Sequence, residues 1–229
     1  MTQGTPMTKQ QTAATGSDRS DRRQQILEAA RRCFKVQGFH RTTLRDIARE
    51  FGMSVGHIYN YFSNKEAIIE ALVETQTQSF IDMLDSEKFN HLPPEERLYH
   101  ELGAVVDAYL DLDSAQLTVA IISEAMVNPK VYEIAVAASA KVREHITNAY
   151  YGRFGEDREY APPQVVMETR IITMRAMLEG LRYTRLFNPN ADQKVLRDMT
   201  IRRLMLIFES ERQEDLAHIE AMKAKAKAS

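Results

Sequence analysis

The chain of 229 residues holds one cysteine, Cys33, so it can form neither an intramolecular disulfide nor a multi-cysteine zinc site. That usage suits a reducing compartment, and a cytoplasmic location is expected. No apolar run approaches the ~20 residues a membrane helix needs, so no membrane partner is expected. The first twenty residues, "MTQGTPMTKQQTAATGSDRS", have no hydrophobic segment, which argues against a secretory signal. Strand-like alternation is missing, and no internal repeat is visible. No glycine-rich phosphate loop follows a strand, the six histidines are scattered, and no His-x-x-His or His-Glu-x-x-His pair occurs. Asp111 and Asp113 fall at a helix end, where capping is the ordinary explanation. Nothing therefore points to an enzyme, and neither a metal nor a cofactor is expected.

What is present is the balance of an ordinary globular protein, 44% hydrophobic and 27% charged. The charge is unevenly placed. Residues 1–65 carry eleven Lys or Arg against five Asp or Glu, and the remainder carries nineteen against twenty-seven. A basic first quarter on an acidic body implies that the first part meets a polyanion.

The periodicity is helical almost throughout. Residues 1–20 lack it and read as a disordered tail. A first helix is expected over 21–37, where Ile26, Leu27, Ala30, Cys33 and Phe34 form one apolar stripe and Gly38 ends it. Cys33 then reads as a buried structural thiol. Thr43 and Asp46 make a capping box for a second helix over 44–51, which Gly52 closes. Ser54 caps a third over 55–62, and Ser63 with Glu66 opens a fourth over 64–88. Further helices are expected at 94–112, 114–127, 130–154, 162–187 and 190–222, with breaks at Pro93-Pro94, "DLDS", Asn128-Pro129, "GEDREYAPP" and "NPNAD". Residues 223–229 read as a flexible end.

Two short helices around Gly52-Met53-Ser54 fit a helix-turn-helix. Ile47, Phe51, Met53 and Ile58 are placed to face a core shared with the first helix, and Ala48 is small where two helices cross. Residues 54–62 are unusual for a core helix, since they offer Gly56, His57, Tyr59, Asn60 and Tyr61. These tips suit base edges and phosphate oxygens. Tyr59 and Tyr61 are two apart and cannot both point inward.

Residues 22–70 resemble the DNA-binding domain of TetR-family transcriptional regulators, most densely over "GMSVGHIYNYFSNKEAI". The resemblance implies an all-α fold, with an N-terminal helix-turn-helix domain (21–67) and a larger helical ligand-binding and dimerisation domain (68–222). It implies phosphate contacts by Thr43, Arg45 and Lys65. It implies base contacts by Val55, His57 and Asn60, close backbone approach at Gly56, and sugar-phosphate contacts by Tyr59 and Tyr61. Arg19, Arg22 and Arg23 read equally as tail or as phosphate ligands. Val55 and His57 depart from the commoner family pattern.

The family commonly binds a small effector in the helical domain. Tyr109, Glu124, Met126, Tyr132, Met167, Met174 and Met177 are the candidate lining for a largely apolar effector, although the methionines also fit an ordinary core and Glu124 an internal cap. The C-terminal helices are apolar over more than half their circumference and need packing on two sides. A homodimer through 162–187 and 190–210 is expected, with Ile171, Leu178, Leu196, Leu204 and Ile207 at the interface. The expected function is a dimeric repressor that double-stranded DNA holds at a palindromic operator and a small effector releases. The alternative is a regulator of the same fold controlled by a protein partner, or an activator without small-molecule effector.

Overall fold

The computed structural model of the chain describes residues 10–154 and 162–228. Among them are nine α-helices and no strand: α1 (Gln10–Arg41), α2 (Leu44–Phe51), α3 (Val55–Tyr59), α4 (Lys65–Leu84), α5 (Pro94–Leu110), α6 (Leu112–Ala125), α7 (Pro129–Phe154), α8 (Gln164–Phe187) and α9 (Gln193–Ala228). A single 3-10 turn, Glu87–Phe89, follows α4, where the periodicity predicts a helix unbroken to 88. The start of α1 precedes the predicted Asp21. Residues 10–20 have no apolar face, so a pattern that reports packing could not detect a helix there, although Asp18 and Arg22 are spaced one turn apart at 3.8 Å. The predicted tail residues 1–9 and most of the "GEDREYAPP" break lie outside the described residues. Among the described residues no helix is long and apolar enough to cross a membrane.

The helices form two compact units. The smaller holds the described residues up to Thr75 together with Val119–Ala135. Its core is the α1 stripe of Ile26, Leu27, Ala30 and Phe34, joined by Ile47 and Ala48 of α2, Ile58 of α3, Phe62, and Ile68, Ile69 and Leu72 of α4. Gly38, at φ 76°, breaks the helical path of α1 and lets Phe39 turn back to lie 4.9 Å from Phe34, ring centre to ring centre. Burial raises the Cys33 thiol above its ordinary value, helped by Glu50 and Asp46, so it is a packed and unreactive group. Met53 departs from expectation. It is 37% exposed, because the turn after Gly52 carries it away from the core.

The larger unit holds Gln76–Thr118 and the described residues from Val136 onward. Its core joins Leu102, Val106, Tyr109 and Leu110 of α5 with Leu178 and Leu181 of α8 and Ile201 and Leu204 of α9. Gly103 lies close under α9: a Cβ there would meet the Arg197 guanidinium at 2.6 Å, which would have to move, and Ile201 at an ordinary 3.6 Å. Two of the five residues expected at a subunit interface, Leu178 and Leu204, are buried within this core. Leu196 and Ile207 are half-buried against it, and Ile171 is half-buried on α8. The exposed apolar face of α8 is a different one: Ile172, Ala176, Gly180, Tyr183 and Phe187 recur at three- and four-residue steps, and Val165 and Met177 are exposed as well. On α9, Val195, Met199 and Leu206 are exposed in the same rhythm.

Candidate nucleic-acid interface

The geometry begins with the caps. Thr43 is the N-cap of α2, and its hydroxyl accepts the Asp46 N–H at 3.2 Å while donating to the Asp46 carboxylate at 2.7 Å. The carboxylate also accepts the Thr43 backbone N–H at 2.9 Å, which completes the capping box. The hydroxyl and backbone bonds from Thr43 hold the Asp46 carboxyl below its ordinary range. Gly52 ends α2 at φ 79°, in the left-handed region. Ser54 caps α3, accepting the His57 N–H at 3.3 Å. One cap differs from expectation. The α4 N–H of Ala67 is accepted by Asn64 Oδ1 at 2.8 Å, because the helix starts one residue later than the Ser63–Glu66 pattern places it.

These caps present α3 with its polar tips outward. Gly56, Tyr59 and Asn60 are exposed, Tyr59 by 56%, and Arg45 is exposed on α2. Ile58 points inward and is fully buried. Val55, His57 and Tyr61 are half-buried. The His57 ring sits between Phe51, at 6.4 Å, and Tyr61, at 5.4 Å, and its Nε2 is buried without a hydrogen-bond partner. His57 is thus a wedge that sets Tyr61, with one ring nitrogen turned away from solvent. The sequence carries no sign of this, since it depends on where the α2 C-terminus places Phe51.

Lys65 is the second surprise. Its ammonium donates to the carbonyls of Phe39 at 2.8 Å, Thr42 at 3.0 Å and His40 at 3.4 Å, and it lies 4.2 Å from the centre of the Phe39 ring. An ammonium has three donors, and all three are engaged. In this arrangement Lys65 clamps the turn that leads into Thr43. The basic residues of α1 gather nearby: Arg19 lies 6.0 Å from the centre of Tyr61 and Arg23 5.1 Å from that of Phe62. Arg22 is near Asp18 instead.

The seven candidate effector residues divide between the units. Glu124, Met126 and Tyr132 belong to the smaller one. Glu124 is buried and accepts the Asn128 side-chain N–H at 3.1 Å, and Asn128 in turn caps the N–H groups of Lys130 and Val131. It is an internal capping residue. Met126 and Tyr132 are 79% and 57% exposed. In the larger unit Met177 is exposed, Met167 is buried, and Tyr109 and Met174 pack at the shared core. The polar chemistry there escapes a reading based on methionines. Arg182 is buried 4.6 Å from the centre of the Tyr109 ring and pairs with Glu179 at 2.9 Å. Ser114 and Thr118 stand within 3.5 Å of its guanidinium, and Gln76 donates to both of them. Burial raises the Tyr109 hydroxyl, with the Glu179 charge adding to it. In sequence Arg182 does not stand out from the other arginines of α8, Arg170, Arg175 and Arg185.

The three N-terminal helices thus make a helix-turn-helix whose third helix is capped and faces outward. Residues 26–72 match the family of bacterial regulatory proteins of the tetR type, and the chain carries that family's N-terminal domain. It is 36% identical over 94 residues to the HTH-type transcriptional regulator HbdR of Aromatoleum sp. (strain CIB), covering 40% of this chain and 41% of that one. It is 42% identical over 57 residues to the HTH-type transcriptional repressor Rv1474c of Mycobacterium tuberculosis, covering 25% and 30%. The matched segment thus spans less than half the length of these curated relatives. The fold extends further. A putative transcriptional regulator from Saccharomonospora viridis, solved in complex with choline, superposes with a TM-score of 0.59 at 22% identity, covering 79% of this chain and 93% of that one.

Proposed function

We propose that the chain is a dimeric transcriptional repressor that occupies a palindromic operator and leaves it when a small molecule binds the helical domain. The observation that carries the reading is the exposed surface of Gly56 and Tyr59 on α3 and of Asn60 at its C-cap, held by the caps at Thr43, Gly52 and Ser54. In a helix-turn-helix the second helix enters the major groove while flanking groups grip phosphate. Here Asn60 and Val55 would meet base edges, and Tyr59, Tyr61, Arg45 and the Thr43 region would meet the backbone. Lys65 would act on DNA through the 39–43 turn that it clamps, and His57 through Tyr61.

The repressor reading is supported by a relative named as a repressor. Ligand control is supported by a fold relative that holds choline. The Arg182–Glu179–Tyr109 cluster makes a polar group on the effector a better fit than a purely apolar one. The helix α4 carries residues of both units, which makes it the proposed transmitter. A coupling of ~1–3 kcal/mol would change occupancy by about five- to 150-fold. The proposed setting is the cytoplasm.

A mobility-shift titration on an operator selected from random duplexes tests the DNA face. Tyr59→Ala and Asn60→Ala should each weaken binding by about 1–3 kcal/mol. Unchanged affinity in both would sink the assigned surface.

A further inference from the structure

The larger unit carries an open cleft of about 480 Å³, where the last turns of α5 and α8 meet the first turns of α6 and α9. It is separate from the Arg182 cluster and uses none of the DNA-facing residues. Its charged walls are Asp107, Asp111, Arg185, Lys194 and Arg197. Three of these are already accounted for. Arg197 and Asp107 form a two-pronged pair at 2.6 and 3.0 Å. Asp111 accepts the Ser114 N–H at 2.7 Å and caps α6. Two cations remain.

Arg185 is the informative one. It is 8% exposed, and its Nε is buried without a hydrogen-bond partner. Its hydrogen bond among the described residues is a long one, 3.4 Å from Nη1 to the Pro189 carbonyl. Arg185 makes no close ion pair among the described residues, which is costly for a buried guanidinium, and its place in the last turn of α8 offsets only part of that. Across the cleft stands Lys194, exposed, in the first turn of α9. Asp192 accepts the Val195 N–H at 3.0 Å, so within the helix the N–H groups of Gln193 and Lys194 have no partner. A helix start, a lysine and an unsatisfied arginine all line one opening.

We propose that this cleft binds a small oxyanion, the phosphate or carboxylate group of a metabolite, between Arg185 and Lys194 at the start of α9. Arg185, which lines the opening, supplies buried charge and directional N–H donors. Lys194 and the α9 N–H groups close the other side. Asp111 opposes the anion by its charge, which limits affinity and gives the test its second sign.

Calorimetric titration of the full chain, without DNA, tests the site independently of the operator reading. Inorganic phosphate and acetate are titrated separately, with ionic strength held constant by chloride. Saturable binding of either is expected, and the better of the two identifies the source group. Lys194→Gln should weaken it at least about fivefold, by loss of one charge-assisted contact. Asp111→Asn should tighten it by about the same factor, since asparagine keeps the α6 cap and removes the repelling charge. Arg185→Met should abolish binding; if that variant does not fold, the two exposed positions carry the test alone. Heats no different from chloride, or an affinity that Lys194→Gln and Asp111→Asn leave unmoved, would overturn the site.

Discussion

Gly52 and Gly56 are four residues apart and serve different ends. A Cβ at either would meet nothing closer than 3.9 Å, so space does not explain them. Gly52 is needed for its φ of 79°, and Gly52→Ala should cost about 1–2 kcal/mol in chemical denaturation. Gly56 is an ordinary helical residue, so Gly56→Ala should leave the free protein as stable or stabilise it by up to about 1 kcal/mol. If Gly56 exists for close approach to DNA, the same variant should lose operator affinity. Stability and binding would then move in opposite directions, which a packing role could not produce. Lys65 belongs at this scale too. Lys65→Met removes donors from three carbonyls and should destabilise the smaller unit by about 1–3 kcal/mol, read by denaturant midpoint. A fully stable Lys65→Met would show that the clamp is dispensable.

At the scale of elements, caps decide where helices begin, and one of them is tied to pH. The Asp46 carboxyl is held below its ordinary range by its bonds from Thr43. A carboxyl lowered by folding stabilises the native state above its unfolded value, about 4. That contribution disappears as the pH falls through the lower folded value. The wild-type protein should therefore lose stability on acidification below about pH 4, and Asp46→Asn should flatten part of that slope while lowering stability at pH 7. Parallel acid titrations of the two proteins, followed by circular dichroism, would show it. Identical slopes would mean that other carboxylates dominate.

For the whole molecule the question is what covers the exposed stripe of α8. Ile172, Met177 and Phe187 are 54%, 55% and 79% exposed, and Ala176 and Gly180 between them would let another helix approach closely. A second copy seated there would give the assembly two α3 helices, one for each half-site of the proposed palindromic operator. Ile172→Asp should then convert dimer to monomer in sedimentation velocity and weaken operator binding with it. Leu178→Ala, six residues further along but facing inward, should instead cost about 2–5 kcal/mol of stability. A monomeric wild type, or an Ile172→Asp protein that still dimerises, would move the interface elsewhere.

Local patterns were enough to place the helix-turn-helix. Thr43 with Asp46, Gly52 and Ser54 act over three or four residues, and the α1 stripe needs only the 3.6-residue period, so both could be read directly from the residues. The start of α1 could not be read, because a helix without an apolar face leaves no periodic trace. Outward and inward faces were the harder matter. On a helix that is apolar around most of its girth, Leu178 and Ile172 look alike in sequence, and only the crossing of α5, α8 and α9 decides which one is buried. The same holds for charge. Lys65 reads as a phosphate contact in sequence, whereas the fold brings three carbonyls to it from residues 23 to 26 positions earlier in the chain. Nothing within a few residues of Arg185 marks it as buried, and only the fold closes over its Nε. Propensity, capping and period act within a few residues and are written in the chain. Burial and the pairing of charges depend on partners that only the tertiary structure brings near.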